Sequence, residues 1–442
     1  MYQFWNDSAF EVKIRDYRRD FHKYAEVKWT EFRTASIVAQ RLDNLGIRTL
    51  LGEEMSVKGF QFAYPDDESR DAEIARAIRQ GGDPETIEKM DGLPGAVGII
   101  EGGKPGPVIA FRFDMDALLT TESDTLDHYP RKEGFRSVNE GYCHACGHDG
   151  HTAMGLGLAE VLMANRENLC GTVKLIFQPS EEGGGGARGI VARGILDDVK
   201  YFFAVHVGLT KLDGLPLGQH GLICGVKDLL DSRRYDFRFR GKAAHSAGDP
   251  HVGKNALLAS CHASMAIHSI PPHSEGVMRL NVGVQQAGVV RNAVPADGYI
   301  QVDMRAENDV VGEYAERRVQ QVVAGAAAMY ENELETTLIG KTCAAASDDE
   351  AITLVRRASE SVDWFTEIHD VGSAGGTDDA AEMIRRVQRN GGMASYAGLG
   401  CDFAAGFHNE AFDFDESVMI PSIRLLNRVV ELAGEHAREN EQ

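Results

Sequence analysis

The sequence predicts an α/β protein: a mainly parallel sheet with helices on both faces, interrupted by an inserted α+β unit. Three observations predict it. Apolar, strand-like runs alternate with helical stretches in the first half of the chain, as in βαβ units. Near residue 221 the pattern changes to the apolar–polar alternation of half-exposed antiparallel strands. After about residue 335 the first pattern returns. A chain of 442 residues also exceeds one typical core. The larger domain is therefore expected over residues 1–220 and 335–442, with residues 221–334 inserted.

Taken in order, residues 14–45 carry apolar positions at helical spacing, and Gly46 ends the helix. Residues 53–92 are polar and charged, an excursion between core elements. GAVGII and PVIAFRFDMDAL read as buried strands. HDGHTAMGLGLAEVLMANRE reads as a helix with Asp149 as its N-cap. TVKLIFQ and YFFAVHV are further strands, separated by a Gly-rich loop and the helical ARGIVARG. In the insertion, residues 234–245 and 277–305 alternate as strands, while NALLASCHASMAIHSI and EYAERRVQQVVAGAAAMYE read as two helices over one sheet face.

Composition excludes several classes. A formal charge of −21 argues against nucleic acid, whose binding requires a basic surface. No run of about 18 apolar residues is present to span a membrane, and the N-terminal residues lack a signal-like apolar segment. Seven cysteines, an odd number scattered along a long chain, read as reduced thiols in a cytoplasmic protein.

The strongest chemical signal is residues 143–151, CHACGHDGH. Thiolate and imidazole are favoured ligands of zinc-like ions, and Gly147 lets Cys146 and His148 face one ion. His144 and His151 are candidates on residue type alone. Asp114 and Asp116 share one side of the strand FRFDMDAL, Glu181 and Glu182 follow TVKLIFQ, and His206 ends YFFAVHV. Strand ends of an open parallel sheet face one ligand-binding edge. His408 follows a Gly-rich loop near the C-terminus. Adjacent glutamates suit a hydrolytic site in which one carboxylate holds the metal and the other takes a proton from bound water.

These segments resemble the metal-dependent aminoacylase and carboxypeptidase superfamily, in the branch whose site begins HACGHD. RRDFHKYAE, FRFDMDAL, HACGHDGHTA, IFQPSEEG, AVHVG, GKAAHSA, RNAVP and FHNEAFDFDE occur in the expected order across essentially the whole chain. The resemblance implies a metallo-amidohydrolase acting on N-acyl or N-aroyl amino acids such as p-aminobenzoyl-glutamate. Indole-acetyl-amino acid conjugates, or deamination of an aromatic amine at the same site, are the alternatives. It implies Cys146, His148, Glu182, His206 and His408 as ligands of one or two Mn or Zn ions. Glu181 is implied as general base and Asp116 as a carboxylate that orients a ligand. His245 is implied to reach the partner's active site, and Asn292 and Arg305 to bind the substrate carboxylate. The insertion is implied as the dimer interface, giving a homodimer or higher homo-oligomer. Phe407 stands where close relatives more often carry a second histidine, and Thr377–Asp378 where Ser-Glu is common.

Overall fold

The computed structural model describes residues 3–440, which form two compact units: 3–227 with 346–440, and Asp228–Ala345. The larger unit is built on strands β1 (Arg48–Leu50), β2 (Ala96–Glu101), β3 (Lys104–Asp114), β4 (Cys170–Gln178), β5 (Tyr201–Val207) and β6 (Gly221–Ile223). The smaller unit contributes β7 (Asp231–Arg240), β8 (Met278–Ala287), β9 (Asp297–Ala306) and β10 (Glu333–Thr342). The chain then returns to the large sheet with β11 (Glu367–His369) and β12 (Met393–Leu399).

The large sheet has the order β1-β2-β4-β3-β5-β12-β6-β11. Its centre, β4-β3-β5-β12, is parallel, while β1 and β2 join antiparallel at one side. The central strands are buried on both faces, which explains their unbroken apolar runs. Phe111 stacks on Phe203 across β3 and β5, and Phe113 packs on Phe177 across β3 and β4. The parallel arrangement sends the carboxyl ends of β3, β4, β5 and β12 to one edge, and every element of the site grows from that edge.

Helix His148–Ala164 is buried on nearly all sides. Its glycines explain how: a Cβ at Gly155 would sit 2.7 Å from both Phe113 and Phe177, so the helix lies directly on the sheet. The single helical pattern expected over residues 14–45 is two helices, Ser8–Lys23 and Phe32–Asn44. The intervening segment bridges in parallel from Val27 to Ala117, just past β3, and the helix breaks to make that contact. Gly46 follows the second helix at φ 75°, a conformation that favours glycine.

The smaller unit is a four-stranded antiparallel sheet, β10-β7-β9-β8, with helices Ala256–His268 and Asp309–Met329. Its core joins Phe237, Phe239, Ile300, Val302, Val319 and Val323. Asn255 and Asn308 cap the two helices, their side chains accepting from the Leu258 and Val311 N–H groups. The expected boundaries at residues 221 and 334 shift. Gly221–Ile223 pairs in the large sheet, and Glu333–Thr342 is a full strand of the small one, paired to β7. Short-range alternation does not report which sheet a strand joins.

Candidate metal centre

The Cys/His turn is fixed beside β3 by reciprocal backbone hydrogen bonds between Leu118 and Cys143. Gly147, at φ 91°, has no room for a side chain: a Cβ there would lie 2.5 Å from Val207 at the end of β5. This close approach aims Cys146 and His148 at the strand ends. His148 Nδ1 donates to the Asp116 carbonyl at 2.9 Å. Its Nε2 is buried with no hydrogen-bond partner, 3.6 Å from Asp114.

Three successive backbone N–H groups in the turn after β4 are received by buried carboxylates. Ser180 donates to Glu31 at 2.7 Å, while Glu181 and Glu182 donate to the two oxygens of Asp116, each at 3.0 Å. Ser180 adopts φ 55°, unusual for a residue with a side chain. The turn points Glu181 and Glu182 at the Cys/His turn. Donor atoms of His148, Glu181 and Glu182 lie within 4.8 Å of one another, as do those of Cys146, Glu182 and His408. Cys146 Sγ is 3.5 Å from His206 Nε2, and His206 donates through Nδ1 to the Val207 carbonyl. His408, at φ 62°, is tied by its N–H to the Ala145 carbonyl, and its Nε2 lies 3.3 Å from Glu182.

The ionisable groups here are shifted in opposite directions. Contacts with Cys146 and Glu182 push His408 up to about 10, against burial. Burial lowers His206 to about 4, leaving a neutral imidazole. Glu182 is pulled up by burial, but His408 and His148 outweigh that and hold it below the usual carboxylate range. Glu181 goes the other way: burial, then the nearby charges of Asp378 and Glu182, push it well up. Thiol, imidazole and carboxylate donors converging with an orphaned His148 Nε2 fit a divalent metal ion.

The structure thus brings Cys146, His148, Glu181, Glu182, His206 and His408 together, with Asp116 beneath the glutamate turn. His245, Asn292 and Arg305 lie in the smaller unit. There, His245 accepts the Ala247 and Gly248 N–H groups through Nδ1. The Asn292 carbonyl receives the Ser246 N–H, and Arg305 pairs with Asp303 in β9.

Some sequence expectations change. Asp149 is not an N-cap; its carboxylate accepts from Arg18 and His22 in the interior, and no side chain caps Gly147. His151 has both ring nitrogens engaged, donating to Asp114 and accepting from the Val207 N–H. His144 is buried with neither nitrogen hydrogen-bonded, and burial lowers it to about 3. Residues that sequence reasoning missed support the site from below. Arg112, fully buried, binds Asp114, Gln178, Asp378 and Asp379, and Tyr396 donates to Asp378. The available signal was charge placed inside an apolar strand, FRFD, with the Asp pair of GTDDA opposite it.

A parallel-sheet edge that gathers thiol, imidazole and paired carboxylate donors suits a metal-dependent hydrolase. Residues 110–432 match the model of peptidase family M20/M25/M40, and the chain belongs to that family. It is 44% identical over 428 residues to a chain of the p-aminobenzoyl-glutamate hydrolase of Escherichia coli (strain K12), covering 96% of each. It is 42% identical over 416 residues to indole-3-acetyl-aspartic acid hydrolase of Enterobacter agglomerans, covering 94% of each. The crystal structure of aminobenzoyl-glutamate utilization protein from Klebsiella pneumoniae superposes with a TM-score of 0.79 at 39% identity over 95% of both chains. The chain is a metallo-amidohydrolase. Among the described residues no helix is long and apolar enough to cross a membrane.

Proposed function

We propose that this chain hydrolyses the amide bond of a small N-acyl or N-aroyl amino acid, of the p-aminobenzoyl-glutamate kind. The observation that carries the reading is the glutamate turn: two adjacent carboxylates, fixed by the same Asp116, with opposite electrostatic environments. Cys146, His148, Glu182, His206 and His408 hold the metal, Mn or Zn. Cys146, Glu182 and His408 form one donor group, and His148 lies within reach of Glu182 beside it, which supports one or two ions in each protomer. Such an ion supplies Lewis acidity, bringing water's pKa toward neutrality and polarising a carbonyl. Glu181, shifted upward, accepts the proton from the attacking water and returns it to the leaving nitrogen. Asp116 acts only by orienting the turn and His148.

The named substrates of the two relatives above each join an aromatic acyl group to an acidic amino acid. We assign the carboxylate end to Asn292 and Arg305, whose guanidinium suits two parallel hydrogen bonds. His245 stabilises the oxyanion in the active site of a second copy. The smaller unit serves as the dimerisation domain of a homodimer or larger homo-oligomer. Seven free cysteines accord with a cytoplasmic location. The relative that acts on indole-3-acetyl-aspartic acid favours a second substrate, an indole-acetyl-amino acid.

The test is product identification by mass spectrometry. Mn²⁺- or Zn²⁺-loaded protein is given p-aminobenzoyl-glutamate, indole-acetyl-aspartate, N-acyl amino acids and substituted anthranilates. Release of a free amino acid, abolished by chelation, is expected. Ammonia released from an aromatic amine with every amide intact would overturn the reading.

A further inference from the structure

We infer that Phe407 is the specificity-determining residue for the acyl side of the substrate, offering an aromatic face beside the metal donors on which a flat aromatic acyl group stacks. The inference rests on the amide-hydrolase reading above and names the residue that selects among its substrates.

Phe407 precedes His408 in the loop that leaves β12. Its ring packs edge-on against His206, with centroids 5.5 Å apart and planes at 70°. His206 in turn faces Cys146 at 3.5 Å, so the ring stands one imidazole's width from the donors. Phe403 and Phe412 back it, the latter stacked at 5.5 Å and fully buried. Even so, 42% of Phe407 remains open. Single exposed apolar residues are ordinary on protein surfaces, but a second element is shaped around this one. Gly208 directly follows β5 at φ 84°, and a Cβ there would lie 2.8 Å from the Phe407 ring and 3.0 Å from Phe403. The strand that delivers His206 is thus followed at once by the residue that makes room for two rings.

Such a wall offers a π face and no hydrogen bond. A planar aryl group gains from offset stacking on it beyond simple area burial, whereas an acetyl group has no face to stack. The residue therefore discriminates by the planarity of the acyl group and is indifferent to the amino acid. If it served only to steady His206, every substrate would suffer equally when it is changed.

The experiment compares N-benzoyl-glutamate with N-acetyl-glutamate on the Mn²⁺-loaded enzyme. Phe407→Leu is expected to lower the benzoyl-to-acetyl ratio of kcat/KM by about tenfold, through KM for the benzoyl compound. Phe407→Tyr should keep the ratio, and Gly208→Ala, which displaces the ring, should lower it. Binding of both compounds to the metal-loaded Glu181→Gln protein, with and without Phe407→Leu, gives the same ratio should either turn over too slowly. An unchanged ratio, or equal losses on both compounds, would overturn the inference while leaving the amide reading intact. Failure of the unaltered enzyme to cleave any amide would sink both.

Discussion

The two loops that bring Glu182 and His408 together are held in opposite ways. The turn after β4 has three consecutive amides received by Glu31 and Asp116 in the protein interior. Each such hydrogen bond contributes about 1 kcal/mol net, and leaving any of these buried amides unpaired costs more, so this turn is stiff. The His408 loop is exposed from Gly406 to Glu410 and is fastened chiefly by backbone bonds, among them His408 to Ala145 and Ala404 to Asp413. Each loop holds a non-glycine residue at positive φ, Ser180 in one and His408 in the other. Strain of that kind persists only where surroundings enforce it. On the proposed function, the contrast separates two jobs: the inner turn would fix the chemistry, and the outer loop would close the metal site and carry the residue proposed to meet the substrate.

The contrast breaks if the inner turn tolerates change. Asp116→Ala removes both amide acceptors and is expected to cost about 100-fold in metal affinity or turnover, the upper range for a residue that orients ligands. A loss under threefold in both, read by metal titration and kinetics, would contradict it. Burial and the neighbouring Asp116 charge push Glu31 well above the usual carboxylate range, so Glu31→Gln, which keeps an acceptor for Ser180, is expected to cost less than about threefold in kcat, whereas Glu31→Ala, which removes that acceptor, should cost about tenfold with metal content retained. At the outer loop, the Asn409 side chain accepts the Ala411 N–H. Its replacement by alanine should cost less than about threefold, and a larger loss would mean that the loop is as finely set as the turn.

The smallest effect on turnover, with a clear effect on stability, belongs to the buried network behind helix His148–Ala164. Arg18 bonds Asp149, Asp413 and Glu416, linking the helix start to the stem of the His408 loop. His22 bridges Asp149 and Glu122; burial lowers its pKa, but these bonds prevail and raise it from 6.5 to about 9. A raised folded-state pKa gives stability that is complete below about 6.5 and lost as pH rises through about 9. His22→Gln should therefore show its full Tm deficit near pH 6, with the deficit closing as pH passes 9. A deficit that widened with pH would mean that His22 is neutral in the fold.

Legibility in the sequence followed the range of the interaction. Strand ends can be read because apolar runs stop at charged residues, as in FRFDMD and FQPSEE, and a parallel sheet gathers those ends. The His-Ala-Cys-Gly-His stretch around Cys146 announces itself because its donors are close in sequence. Glu31 does not, since it meets Ser180 across 149 residues and looks like any helix-start acid in KWTEF. Asp149 misleads for the same reason: its place before an apolar helix fits a cap, while its partners Arg18 and His22 lie far back in the chain. The broken helix between Lys23 and Phe32 hides behind periodicity that continues across the break. The join of β10 to the small sheet is set by pairing with β7, which local alternation does not encode.

The central claim is that two neighbouring glutamates on one rigid turn do different work. It is tested most directly by metal content and turnover of Glu181→Gln and Glu182→Gln, measured side by side on the same amide. Glu181→Gln is expected to keep its metal and lose at least about 1,000-fold in kcat, within the 10²–10⁴ range for a general base. Glu182→Gln is expected to lose metal affinity first, with activity partly restored at high metal concentration. Equal metal loss in both variants, or full turnover in Glu181→Gln, would contradict the account.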